Sequence, residues 1–184
     1  FLFRSINAGQ TWETINVEES VGRFSFDIQA ESADEAWITT QDYASGLGRA
    51  IYKTEDGGVT WQQKTLGGNT GVFIRLLDQN HIFCQANKGV TTSADDGATW
   101  ESHNINGYGS AEYNGLISGC NMACTAGDTI WVGTSEGRIA RSTLYGQEHT
   151  RFNAAVGEFI QCVSFADHQK GMLIYYDLNT GAYG

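Results

Sequence analysis

The sequence predicts an all-β chain built from four-stranded antiparallel blades, the repeating unit of a β-propeller, and three observations predict it. A long turn pattern recurs, beginning at Ser5, Thr54 and Ser93; a period of about 40–50 residues is that of a propeller or solenoid. Each turn is preceded by a short apolar run, and most of those runs by an alternating one, with no helical periodicity between them. Glycine reaches 23 of 184 residues with no proline at all, which suits many tight turns joined by short strands.

Taken in chain order, Phe1-Leu2-Phe3-Arg4 reads as the third strand (C) of a blade, followed by a turn at Ser5–Trp12 and a fourth strand (D). Phe24–Ile28 then reads as an inner strand A and Ala36–Thr39 as a buried strand B. The order repeats with Val72–Leu76 and Ile82–Gln85, with a less regular Met122–Cys124 and Ile130–Gly133, and with Cys162–Ala166 and Met172–Tyr175. The expected blade parts are 1–22, 23–71, 72–118, 119–160 and 161–184, making one propeller domain or propeller segment. The first part supplies strands C and D and the last supplies A and B. That register suits closure by the chain's own ends, pairing with a second chain, or membership of a longer array, and the sequence leaves the three open.

The turn pattern has a mechanical basis. It reads hydroxyl, any, Asp or Asn, any, Gly, any, Thr, Trp: Ser5, Asn7, Gly9, Thr11 and Trp12; Thr54, Asp56, Gly58, Thr60 and Trp61; Ser93, Asp95, Gly97, Thr99 and Trp100. Asp or Asn accepts bonds from backbone N–H groups ahead of it, Gly supplies positive φ, and the hydroxyl closes the turn from the other side. Thr favours the strand that follows, and Trp offers an apolar face to the neighbouring repeat. Ser142-Thr-Leu144-Tyr-Gly146 keeps only the hydroxyl and the Gly, as an eroded fourth copy.

These turns resemble the Asp-box, or bacterial neuraminidase repeat, of sialidases, xyloglucan-cleaving glycosidases, the sortilin ectodomain and the photosystem II stability factor family. The compact blades are similar to the last of these. The resemblance implies a β-propeller in which the box is structural and lies away from the ligand face, so none of the fifteen box residues is expected to be catalytic. Sialidases carry an Arg-Ile-Pro segment and three arginines for the substrate carboxylate. This chain lacks proline, and its arginines fall in contexts that mark no triad.

Charge narrows the partners. A net charge of −10 with only 11 Lys and Arg opposes a polyanion, so nucleic acid is not expected. No apolar run reaches the length of a membrane span, so membrane insertion is not expected either. Cys84, Cys120, Cys124 and Cys162 form no CxxC pair; disulfides and buried thiols stand as equal readings, and no metal or other cofactor is expected. The acidic, aromatic-rich composition fits an extracellular, cell-surface or periplasmic setting.

Glycoside hydrolysis needs two carboxylates astride the bond. Asp27, Asp78 and Asp167 recur near strand A, where they either approach a central channel or form turns, and the turn reading is the stronger. Asp95-Asp96 is an acidic pair, but the turn already accounts for Asp95. Because strands alternate in direction, the B–C and D–A loops emerge on the face opposite the box turns. Two long loops there join aromatics to polar groups, and the expected ligand residues are Asp42, Tyr43, Tyr108, Glu112, Tyr113 and Asn114, a vocabulary of adaptable recognition. The expected function is therefore a non-catalytic module that holds a protein or a glycan, with self-association or a longer parent chain completing the ring. The alternatives are part of a sialidase-like or xyloglucanase-like hydrolase and a structural component of a larger particle such as a virion or surface layer.

Overall fold

A computed structural model of the chain describes residues 2–17, 24–42, 48–64, 73–86, 89–104, 122–124, 129–133, 137–143, 148–153, 159–177 and 180–181. Among the described residues it is all-β, with three four-stranded antiparallel sheets and two two-stranded ones. The complete sheets are β3 (Phe24–Ala30), β4 (Ala36–Asp42), β5 (Gly48–Thr54) and β6 (Gln62–Lys64); β7 (Ile74–Leu76), β8 (Ile82–Ala86), β9 (Gly89–Ser93) and β10 (Glu101–Asn104); and β11 (Met122–Cys124), β12 (Ile130–Gly133), β13 (Arg138–Thr143) and β14 (Glu148–Asn153). Each pairs its strands in sequence order, which makes a four-stranded meander.

The remaining strands are β1 (Leu2–Arg4) with β2 (Glu13–Ile15), and β15 (Phe159–Phe165) with β16 (Gly171–Tyr176). The first pair corresponds to strands C and D and the second to A and B, as their order along the chain implies. β15 begins at Phe159, two residues before the expected start of the last blade part. The innermost strands β3, β7, β11 and β15 lie side by side in succession, the arrangement of propeller blades about an axis.

The register is uniform. Ala36, Ile82 and Ile130, which open strand B, sit opposite Thr54 and Ser93, which close strand C, and Ser142, the last residue but one of its strand C. They also sit opposite Ala30, Leu76 and Cys124 in strand A. In the last pair the residue so placed is Gly171, opposite Phe165. The apolar pattern sets Met172 level with Ala36, one residue too far. A glycine carries no apolar signal, and here its Cβ would stand 2.5 Å from the Phe165 ring, so the ring itself requires glycine.

In the three complete sheets strand B supplies the core because both its faces are covered. Trp37, Phe83, Cys84, Ile130 and Val132 are all buried. The cores form between neighbouring sheets rather than within one: Trp37 and Ile51 pack with Ile74, Ile82 and Cys84 of the next sheet, and Trp131 and Ile139 with Ile160 and Val163. Trp131 stacks on Phe165 at 4.0 Å between ring centres. Burial pushes the Cys84 thiol well above its usual range, and Cys84 is in no disulfide, which leaves an inert buried thiol.

Candidate functional site

The three repeated turns share one hydrogen-bond scheme. In the second, Gly58 N donates to Thr54 Oγ1 at 2.8 Å, Thr54 donates to Asp56, and Asp56 accepts the backbone N–H and hydroxyl of Thr60. The indole of Trp61 donates back to Gly58 O at 3.2 Å. Ser93, Asp95, Gly97, Thr99 and Trp100 repeat every bond. With Asn7 in place of the acid, the amide donates to Thr11 Oγ1 instead of accepting from it. The Thr60 hydroxyl, then the Thr60 N–H, hold the Asp56 carboxyl down to about 2, and the Thr99 hydroxyl lowers Asp95 in the same way. Carboxylates so engaged fix a turn, and their lowered pKa keeps them ionised, without a proton to give.

Among the acids put forward for catalysis, Asp27 lies in strand β3 beside a bulge between Ser25 and Asp27. Its Oδ2 accepts from Ile74 N at 3.1 Å and from Arg75 at 2.7 Å, both in the neighbouring sheet. Asp78 and Asp167 cap the A–B turns: Asp78 accepts from the N–H groups of Asn80 and His81, and Asp167 from those of Gln169 and Lys170. Burial opposes the lowering of the Asp78 carboxyl, but the bonds from Asn80 and His81 outweigh it. The A–B turns lie on the box-turn side, which puts these two acids at the end of the sheets opposite the B–C and D–A loops. Asp96, the other half of the acidic pair with Asp95, binds Lys53 Nζ at 2.8 Å and lies 3.6 Å from Lys64. Among the described residues no group of His, Cys, Asp and Glu is arranged to hold a metal.

Of the expected ligand residues, Asp42 closes β4, its backbone paired with Gly48, and its position at the B–C end of the sheet is as the strand order requires. Tyr43, Tyr108, Glu112, Tyr113 and Asn114 lie outside the described residues. The same face carries a feature that the sequence reading passed over. β16 ends there in Tyr175 and Tyr176, both half-buried, and Asp177 then folds the chain back: its carboxylate accepts the N–H and hydroxyl of Thr180, and its carbonyl accepts Gly181 N at 2.8 Å. Gly181 has φ +69° and lies against the Tyr176 hydroxyl. The signal was the Asp-x-x-Thr-Gly string, a capped turn with its required positive-φ residue.

A second surface lies between β1–β2 and the sheet β3–β6. It is an open, mainly apolar groove of about 380 Å³, lined by Leu2, Phe3, Ile28 and Ala30 and floored by Gly58 and Trp61. Arg4 crosses one end to bond the Gly57 carbonyl. Trp12 is 64% exposed, whereas its counterpart Trp61 is 6% exposed, because Leu2 and Val17 of β1–β2 and its flank cover Trp61.

No protein-family model matches this sequence, and no curated protein matches it at a significant level. Among solved structures, the chain is similar to YCF48 bound to D1 peptide, with a TM-score of 0.65 at 16% identity over 99% of this chain. The chain spans 58% of the length of that protein. It is also matched to YCF48 from Cyanidioschyzon merolae, with a TM-score of 0.47 at 15% identity over 95% of this chain and 72% of that one. The first likeness is one of fold: the chain is a propeller-like array of antiparallel sheets.

Proposed function

We propose that this chain is a non-catalytic propeller module that holds a protein segment on the face formed by its B–C and D–A loops, in an extracellular, cell-surface or periplasmic setting. The observation that carries the reading is that Asp27, Asp78 and Asp167 are each committed to backbone N–H groups of the fold. Chemistry on a glycosidic bond needs one carboxyl free to give a proton and another free to attack or to activate water. The loop face instead presents Tyr175 and Tyr176 beside the hydrogen bonds of Asp177 with Thr180, and aromatic rings beside polar backbone suit recognition of a peptide. The similar propeller YCF48 is bound to a D1 peptide, which supports a peptide as the class of ligand here.

The test is to screen the immobilised chain against a tiled peptide array and a glycan array, then repeat it with Tyr43→Ala, Tyr108→Ala, Tyr113→Ala and Tyr176→Ala. Peptide binding weakened about tenfold or more by at least one of these changes is expected. Binding of glycans alone, or of peptides equally well by every variant, overturns the assignment.

A further inference from the structure

The joint between the sheets β3–β6 and β7–β10 is an ion network around one indole. Trp37 pairs with Gln29 across β3 and β4 and with Lys53 across β4 and β5. Alternation therefore sets Glu31, two residues beyond Gln29, Glu35, two before Trp37, and Glu55, two beyond Lys53, on the face that looks at the next sheet. Asp96 enters from that next sheet. Lys53 Nζ lies 2.8 Å from Asp96 and 3.0 Å from Glu55, while Lys64 Nζ stands 3.6 Å from Asp96. Both ammonium groups lie over the Trp37 ring, at 5.4 and 5.7 Å from its centre.

The charges do not cancel. Four carboxylates, those of Glu31, Glu35, Glu55 and Asp96, face the two lysines, and the lysines make their close contacts with Glu55 and Asp96. Glu31 is half-buried in the turn between β3 and β4, where its backbone N–H donates to Glu35 O at 2.9 Å. Burial raises the Glu31 pKa above its ordinary value, the Glu35 carboxylate raises it further and Asp96 adds to the rise, against the pull of Lys53 and a weak contribution from the Trp37 N–H. That N–H is buried with no hydrogen-bond partner, so the indole does not hold the carboxylate in its charged form.

We propose that Glu31 makes this joint proton-sensitive: ionised, it leaves the seam with two surplus negative charges, and protonated, it leaves one and lets the two sheets hold each other more firmly. A carboxyl whose folded pKa is raised contributes stability that is complete below its unfolded value and is lost as pH rises through the folded one. The joint therefore strengthens as pH falls from about 7 toward 5. This is the reverse of Asp56 and Asp95, whose turns weaken only below about pH 4. Together the two effects place the firmest state of the array in mildly acidic surroundings. The joint lies at the box-turn end of the sheets, so it is independent of the peptide proposed for the loop face.

Urea unfolding of the 184-residue chain at about pH 7 and about pH 5 tests this, with Glu31→Gln and Glu35→Gln beside the unaltered chain. The reading is the change in midpoint between the two pH values. Other groups that change charge over that range act alike in all three chains. The unaltered chain is expected to gain a few tenths of a molar more than Glu31→Gln, which is neutral throughout. A change as large in Glu31→Gln as in the unaltered chain overturns the inference. Glu35→Gln reads the same effect should Glu31→Gln fail to fold: without the repelling carboxylate the gain is expected to shrink, and an undiminished gain also overturns it.

Discussion

Lys53 and Asp96 join two sheets of the array: Nζ lies 2.8 Å from both carboxylate oxygens, and the lysine side chain is only 6% exposed. Burial works against the charge, but the bonds from Asp96 and Glu55 outweigh it and raise the Lys53 pKa above its ordinary value. Removing the amine in Lys53→Met leaves Asp96 to Lys64 alone. With Asp96 partly open to solvent, the expected loss is about 1–2 kcal/mol, read by urea unfolding.

The glycines of the turns separate two causes of intolerance. Gly97 and Gly9 both have positive φ, +74° and +82°, but only at Gly97 would a Cβ strike an indole, that of Trp37 at 2.9 Å. Gly9→Ala is expected to cost about 1–2 kcal/mol from backbone strain alone. Gly97→Ala adds roughly 1–3 kcal/mol of overpacking, and equal losses in thermal or urea melts would refute the contact.

At the inner strands, Asp27 and Arg75 are not equal partners. Asp27 also accepts Ile74 N, so Asp27→Ala leaves that buried N–H without its acceptor and takes the carboxylate from a guanidinium that keeps its bond to Ile74 O, whereas Arg75→Met leaves Asp27 with its bonds from Ile28 N and Ile74 N. The former is expected to cost about 2–3 kcal/mol and the latter about 1. Urea midpoints of the two variants give the order.

Acid sensitivity follows from the turns. Asp56 is depressed to about 2 from 3.8, and Asp95 is lowered too. Groups whose folded pKa is depressed contribute stability above the unfolded value and lose it as pH falls toward the folded one. Stability is therefore expected to fall between about pH 4 and 2. Asn7 shows that an amide fits the turn, so Asp56→Asn with Asp95→Asn should fold at pH 7 and unfold at lower pH than the unaltered chain. Acid titration followed by circular dichroism measures the midpoint.

The contrast between Thr60 and Lys53 shows what was legible in the sequence. Thr60 finds Asp56 four residues away, and bonds of that reach are fixed by the local string whatever surrounds them. The turns, the strands between them and their pairing order follow from the same short-range rules, and the meander of each sheet is as its pattern requires. Asp78 and Asp167 were legible as turn acids for this reason, and Asp177 with Thr180 was legible too, though passed over.

Asp96 and Asp27 were not legible, because their partners are 43 and 48 residues distant and reach them only when neighbouring sheets pack. The same holds for tryptophan. Trp12 and Trp61 stand in the same turn and donate the same bond, yet one is exposed and the other buried. The sequence by itself determined the turns and the strands, since each is written in hydrogen bonds spanning a few residues. Tertiary structure alone decided which surfaces are covered and which remain open to a partner, since that depends on the sheet that lies alongside.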